Sequence, residues 1–106
     1  MNKAIKEKID KLISENSIFL FMKGDRHQPM CGFSAQVIHA LEKNNADYQT
    51  FNVLEDYDIR EGVKEYSSWP TIPQLYVKGE FIGGCDIVMS LDRKDELAKT
   101  LQVEAV

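Results

Sequence analysis

Cysteine is scarce in this chain of 106 residues, which contains only Cys31 and Cys85. A secreted domain of this size usually carries several disulfides, so two cysteines far apart in the sequence do not suit a disulfide-stabilised extracellular protein. We therefore expect a cytoplasmic protein in a reducing compartment. There, a cysteine is either buried and inert or present for its reactivity.

Long hydrophobic runs and a basic excess are also missing. The longest apolar run, residues 18–22, is far below the roughly 20 residues that span a bilayer, and residues 1–14 lack the apolar stretch of a signal peptide. Thirteen Lys and Arg against 17 Asp and Glu give a net charge of −4. Non-specific nucleic-acid binding needs a basic face. We therefore expect neither a membrane nor a nucleic-acid partner, and the length predicts a single domain, residues 1–106.

Hydrophobic periodicity predicts helices alternating with strands. The uninterrupted apolar run at 18–22 indicates a strand covered on both faces. Phe33 is expected in the buried stripe of the helix that follows Cys31. Asp58 is the expected N-cap of a third helix. The predicted elements are a helix at 4–14, a strand at 18–22, a helix from Cys31 to about residue 43, a strand at 48–53, a helix at 58–66, a hairpin of 75–77 and 80–82, and a helix from Cys85 to about Leu101. Such an order predicts an α/β domain with a parallel strand pair and an antiparallel edge.

Cys31-Gly32-Phe33-Ser34 follows the first predicted strand and a polar loop. The thiol therefore lies at a helix start, where unpaired N–H groups and the positive end of the helix dipole favour the thiolate. Lys23, at the end of the strand, adds positive charge. Ser34 stands where a dithiol oxidoreductase has its second cysteine, so a mixed disulfide or a metal at Cys31 needs partners from outside the chain. The alternative interpretation is a buried structural cysteine.

Two further segments carry candidate binding groups, each with a purely structural alternative. A cis peptide before Pro73 would leave the backbone of Ile72 free to pair with a peptide-like ligand, although trans is the common form. Gly83-Gly84-Cys85-Asp86 opens the last predicted helix, where N–H groups and the Asp86 carboxylate suit a zwitterionic amino-acid end, or where Asp86 is a plain N-cap. Arg60 is a candidate cation or a solvated surface charge.

Four motifs in register resemble those of the CGFS-type monothiol glutaredoxins, over nearly the whole chain. They are Lys23-Gly24, Cys31-Gly32-Phe33-Ser34, Trp69-Pro70-Thr71-Ile72-Pro73 and Gly83-Gly84-Cys85-Asp86. The resemblance implies a thioredoxin-like fold, a four-stranded mixed sheet flanked by helices, with a cis peptide before Pro73. It also implies glutathione as ligand.

Residue roles follow from the same resemblance. Cys31 is the expected active thiolate and the ligand to one iron of a [2Fe–2S] cluster. Lys23 and Arg60 are expected to pair with the glycine carboxylate of glutathione, Ile72 to bind its cysteinyl backbone, and Cys85 and Asp86 to hold its γ-glutamyl end.

Cluster binding further implies an assembly of two chains. A cluster generally takes four thiolates, so two chains and two glutathione molecules supply the set in a homodimer that delivers clusters to apo iron–sulfur proteins. A BolA-like protein is the other expected partner. Two further functions stay open: a glutathione-dependent oxidoreductase acting through Cys31 alone, and a regulatory adaptor for the BolA-like partner.

Overall fold

The computed structural model describes residues 1–102, which alternate between helices and strands as the periodicity predicts. The elements are α1 (Lys3–Glu15), β1 (Ile18–Met22), α2 (Gly32–Lys43), β2 (Gln49–Asn52), α3 (Tyr57–Ser67), β3 (Gln74–Val77), β4 (Glu80–Gly83), α4 (Cys85–Arg93) and α5 (Leu97–Leu101). No helix in this part of the chain is both long and apolar enough to cross a bilayer.

Four strands form one mixed sheet in the order β2-β1-β3-β4. β1 runs parallel to β2, with Phe21 opposite Phe51, and antiparallel to β3, while β3 and β4 form the predicted antiparallel hairpin. All five residues of β1 are buried, as expected for a central strand covered on both faces. The predicted four-stranded mixed sheet is confirmed.

Alternate side chains of β1 enter two separate hydrophobic layers because successive strand residues point to opposite faces. On one face, Leu20 and Met22 pack with apolar residues of α2, α4 and α5. On the other face, Phe19 and Phe21 pack with residues of α1 and α3, including Ile9. Each such side chain, when fully buried, contributes roughly 1.5–3 kcal/mol to folding, so both layers hold the sheet between its helices.

Two expectations about individual residues are wrong. Phe33 was expected in the buried stripe of α2 but is 59% exposed, and Ser34 is fully buried in its place. The buried positions at 34, 37, 38 and 41 have the i, i+3, i+4, i+7 spacing of one helix face, and Phe33 lies outside that phase. Asp58 does not cap α3. Asp56 does, because its side chain accepts the Ile59 N–H at 3.1 Å.

Two predicted element boundaries also differ from the structure. The helix predicted from Cys85 to Leu101 is two helices, interrupted at residues 94–96, where Asp95 has φ +58°. This break turns the chain so that Leu97 and Leu101 are buried. The strand predicted at 48–53 is shorter, because Val53 begins a 3-10 turn that ends at Glu55.

Candidate functional site

A cleft of about 440 Å³ lies between the loop after β1, the start of α2, the segment at 69–73 and the start of α4. Five of the six residues that the sequence singled out line this cleft: Lys23, Cys31, Ile72, Cys85 and Asp86. Arg60 does not line it, although α3, which carries Arg60, contributes Lys64 to the wall. The fold therefore brings together segments that are distant in sequence.

Cys31 is the N-cap of α2 and is half-buried. Burial by itself raises the pKa of its thiol. The backbone N–H groups of Ser34 and Phe33, the Ser34 hydroxyl and the charge of Lys23 outweigh burial, and the pKa of Cys31 is lowered from its ordinary value. The thiolate is the nucleophilic and metal-binding form of cysteine. Cys31 is therefore an accessible thiol biased toward its reactive state, and not an inert core residue.

The Ser34 side chain interacts both with the Lys23 backbone and with the Cys31 sulfur. Its fully buried hydroxyl accepts the Lys23 backbone N–H at 3.2 Å, and the same hydroxyl stabilises the Cys31 thiolate. The sequence drew attention to this position only because it is not a cysteine. The structure shows that the serine hydroxyl helps to hold the backbone at Lys23 and to lower the pKa of Cys31.

The segment at 69–73 and the start of α4 form another part of the cleft lining. The Ile72–Pro73 peptide bond is cis, as the family resemblance implied. Beside it, the start of α4 approaches closely: a Cβ on Gly84 would lie 3.2 Å from the Pro73 carbonyl oxygen and 3.2 Å from Trp69 Nε1. Only glycine allows this approach without displacement of its neighbours, so Gly84 sets the distance between the two backbone segments.

Cys85 differs from Cys31 in its chemistry, although both line the cleft. Burial, and then the negative charges of Asp86 and of the Cys31 thiolate, raise the pKa of the Cys85 thiol. The protonated Cys85 Sγ donates to Gln36 Oε1 at 3.5 Å. The pKa values of the two thiols therefore shift in opposite directions, that of Cys31 downward and that of Cys85 upward.

Two lysines, Lys23 and Lys64, line the cleft. Within residues 1–102, neither Lys23 nor Arg60 has a carboxylate oxygen within 4 Å, whereas Lys64 pairs with Glu61 at 3.1 Å. Lys64 was missed in the sequence, and its only signal is its position one helical turn after Arg60. Trp69 was interpreted only as part of a rigid connection, yet it also lines the cleft.

The donor set of one chain is too small for a metal centre of its own. Among residues 1–102, no three His, Cys, Asp or Glu side chains converge to hold a metal ion. A cleft with an accessible thiol of lowered pKa, a cis peptide segment and a lysine, Lys23, that has no carboxylate within 4 Å in residues 1–102 suits a small anionic, peptide-like thiol. Any metal at Cys31 then takes its remaining ligands from outside the chain.

Comparison of the sequence with known proteins agrees with this description. The Glutaredoxin family profile matches residues 18–82. The chain is 48% identical over 103 residues to a Synechocystis protein described as an uncharacterized monothiol glutaredoxin, ycf64-like, covering 97% of this chain and 96% of that protein. It is 51% identical over 100 residues to mitochondrial monothiol glutaredoxin-5 of Lachancea kluyveri, covering 92% and 70%. Other relatives are longer: the chain spans 30% of human Glutaredoxin-3.

Solved structures share the fold. The solution structure of reduced poplar apo GrxS14 has a TM-score of 0.82 at 45% identity, covering 92% of this chain and 90% of that one. A buckwheat glutaredoxin–glutathione complex has a TM-score of 0.82 at 27% identity, covering 94% and 89%. The holo form of glutaredoxin C1 from Populus tremula x tremuloides has a TM-score of 0.83 at 25% identity, covering 93% and 87%.

Proposed function

The chain belongs to the glutaredoxin family, among its monothiol members, and from this premise we propose that it binds glutathione and carries a [2Fe–2S] cluster through Cys31 for delivery to apo iron–sulfur proteins. One observation carries the proposal. A single accessible thiol with a lowered pKa faces a cleft of about 440 Å³ whose cations include Lys23, which has no carboxylate within 4 Å in residues 1–102.

Each group of glutathione is assigned to residues of this chain, all of which line the cleft except Arg60. Its glycine carboxylate is assigned to Lys23 and Arg60, with Lys64 as an additional cation on the cleft wall. Its cysteinyl unit is assigned to the backbone of Ile72, as an added strand pairs with a sheet edge. Its γ-glutamyl carboxylate is assigned to the N–H groups at the start of α4, which has Gly84 as its N-cap. The γ-glutamyl amino group is assigned to the Asp86 carboxylate, with Cys85 taking part through its backbone N–H.

The cluster in this proposal is a cargo shared between two chains. A [2Fe–2S] cluster takes four thiolates, and of the two cysteines at the site of one chain the fold lowers the pKa of Cys31 and raises that of Cys85. Two copies of Cys31 and two glutathione thiolates complete the set, in a homodimer that separates when the cluster leaves. A ligand set that is half small molecule favours transfer over permanent storage. A BolA-like protein is the proposed alternative partner at the same surface.

A second function uses the same thiolate without a cluster. Cys31 is nucleophilic and has no cysteine three residues on, so a glutathionylated Cys31 must be resolved by a second glutathione. The lowered pKa of Cys31 favours this monothiol oxidoreductase activity as strongly as it favours iron binding.

Anaerobic reconstitution separates the two functions. The protein is incubated with ferrous iron, sulfide and glutathione, and visible absorption and size-exclusion chromatography are recorded before transfer to an apo-ferredoxin is measured. A coloured dimer that passes on its cluster supports cluster carriage. A colourless monomer that rapidly reduces a glutathionylated peptide supports the oxidoreductase. Cys31→Ser is expected to abolish both activities, and a cluster retained in this variant contradicts the ligand assignment.

The carboxylate assignment is tested by charge removal. Calorimetry should show glutathione affinity about tenfold weaker for the Lys23→Gln, Arg60→Gln double variant at low salt, because two charged hydrogen bonds are lost. The difference should shrink at high salt. Lys78→Gln is the control, an exposed lysine of the β3–β4 turn outside the cleft. Unchanged affinity in the double variant would place the carboxylate elsewhere.

A further inference from the structure

The loop that joins β1 to Cys31 forms a closed turn stabilised by its own hydrogen bonds. The Asp25 side chain accepts the His27 and Gln28 N–H groups at 2.8 and 2.9 Å. At the base of the loop, the Met30 N–H donates to the Lys23 carbonyl oxygen at 2.9 Å. This last bond directly joins the backbone of the cleft lysine to the residue before Cys31. The conformation of the loop therefore sets the relative position of two cleft groups.

Arg26, near the tip of this loop, reaches away from the cleft to the far end of α2. Its guanidinium lies 4.1 Å from the centroid of the Tyr48 ring and donates to the Tyr48 carbonyl oxygen at 3.2 Å and to Glu42 Oε1 at 3.4 Å. The buried Tyr48 donates its hydroxyl to the same Glu42 oxygen at 2.6 Å. A cation–π contact and two hydrogen bonds, one of which is also an ion pair, thus converge on one side chain.

A second contact holds the start of the loop. Asn52 Oδ1, at the end of β2, accepts the Gly24 N–H at 3.0 Å and the Leu54 N–H at 3.0 Å. Gly24 has φ +85°, and a Cβ there would lie 2.5 Å from the Gln28 carbonyl oxygen, so the turn closes tightly only with glycine. The loop is therefore attached at its start by Asn52 and at its tip by Arg26.

From these contacts we propose that Arg26 is a positioning residue that latches the loop at 23–30 to Tyr48 and Glu42 and so holds Lys23 and Cys31 in register for ligand binding. The role in ligand binding rests on the proposed function. The contacts of Arg26 with Tyr48 and Glu42 form without any ligand. The hydrogen bonds and the cation–π contact of Arg26 go to Tyr48 and Glu42, neither of which lines the cleft, so its effect on the cleft passes through the loop backbone.

Loss of the latch should loosen the loop without unfolding the domain. In Arg26→Ala the cation–π contact and both guanidinium hydrogen bonds, including the ion-paired one to Glu42, are absent, while the bond between Gly24 and Asn52 remains. Binding to a site that must first be ordered is weaker than binding to a preorganised one. We expect glutathione affinity to fall by about three- to tenfold. Arg26→Lys keeps a charge near Glu42 but lacks the planar fork and stacking face of arginine, so it should rescue only part of the loss.

Two glutathione-free measurements test the latch on the full chain. Amide hydrogen exchange of Gln28 and Met30 should accelerate by about tenfold in Arg26→Ala, and alkylation of Cys31 near pH 7 should slow several-fold because Lys23 and the helix N–H groups are less well aligned with the sulfur. Arg93→Ala, an exposed arginine of α4, is the matched control and should change neither. Tyr48→Phe keeps the ring and the carbonyl and should have a smaller effect than Arg26→Ala.

The outcomes are separable from those of the proposed function. Faster exchange together with slower alkylation supports the latch, even if the wild-type chain fails to bind glutathione, in which case the proposed function alone is refuted. Unchanged exchange overturns the latch. Faster exchange with unchanged Cys31 alkylation and unchanged glutathione affinity overturns the positioning role, because the loop would then be mobile without consequence for the cleft.

Discussion

Replacing Ser34 with alanine removes a fully buried hydroxyl that serves two neighbours at once. The oxygen accepts the Lys23 backbone N–H at 3.2 Å, and the hydroxyl lowers the pKa of the Cys31 thiol. The substitution therefore acts on stability and on sulfur chemistry through separate bonds. We expect both to change in Ser34→Ala, while the backbone of α2 stays intact because alanine is the best helix former.

The stability loss follows from the unpaired N–H. A buried donor left without a partner costs about 1–3 kcal/mol, against a total stability of about 5–15 kcal/mol for a domain. One kcal/mol shifts the melting temperature by about 4 °C in a domain of roughly 100 residues, so we expect the melting temperature of Ser34→Ala to fall by about 4–12 °C.

Ser34→Ala should also change the pKa of the Cys31 thiol. Since the hydroxyl lowers the pKa of Cys31, its removal raises that pKa and reduces the thiolate fraction near pH 7. Iodoacetamide alkylation should then be slower, with its pH profile displaced upward. The Cys85→Ser background limits the reaction to Cys31.

The control for Ser34→Ala is Ser14→Ala. Within residues 1–102 the Ser14 hydroxyl bonds only to the Lys11 carbonyl oxygen, at an exposed position, so its loss should change stability by less than about 0.5 kcal/mol. The reasoning about Ser34 is refuted if Ser34→Ala has the melting temperature of the control and its Cys31 is alkylated at the wild-type rate.

Three further predictions concern the folded frame. Asp56→Ala should cost about 0.5–2 kcal/mol in urea denaturation because the α3 cap is lost, whereas Asp58→Ala should be nearly neutral; the reverse order contradicts the cap assignment. The Lys8 ammonium and then the Ile59 N–H lower the pKa of Asp56. The stabilisation that ionised Asp56 provides is therefore present above about pH 4 and declines as the pH falls through the folded-state pKa. In urea denaturation at pH 7 and pH 3, Asp56→Asn should lose less free energy of unfolding between the two pH values than the wild type. Ile9→Ala should cost about 2–5 kcal/mol by thermal denaturation, since Ile9 is fully buried, and a loss below about 1 kcal/mol contradicts close packing there.

The sequence predicted the positions of helices and strands well where one hydrophobic period, helical or extended, was clear. The five apolar residues of β1 are central and buried, and Cys31 stands at the start of its helix, because strand burial and helix initiation both depend on neighbouring residues. Phe33 and Asp58 were misassigned for the same reason. Each lies within one or two positions of the residue that takes the expected role, and sequence alone does not fix the phase of a helix to that accuracy.

The candidate site was only partly visible. The motifs pointed to residues that line one cleft, but nothing in the linear order placed Lys64 on its wall or Trp69 beside Gly84. These placements depend on how α3 packs against the sheet and how the segment at 69–73 meets α4. The contact of Arg26 with Tyr48 and Glu42 likewise joins residues separated by a helix and a turn.

The sequence by itself determined the α/β order, the family, and the presence of one thiol at a helix start with no second cysteine three residues on. Those features reside in residue type, spacing and period. Tertiary structure alone decided that the Ser34 hydroxyl takes part in lowering the pKa of that thiol, because the side chain of Ser34 is fully buried beside it. It also decided the shape of the cleft, since the distance between Gly84 and Pro73 depends on the packing of elements that share no local pattern.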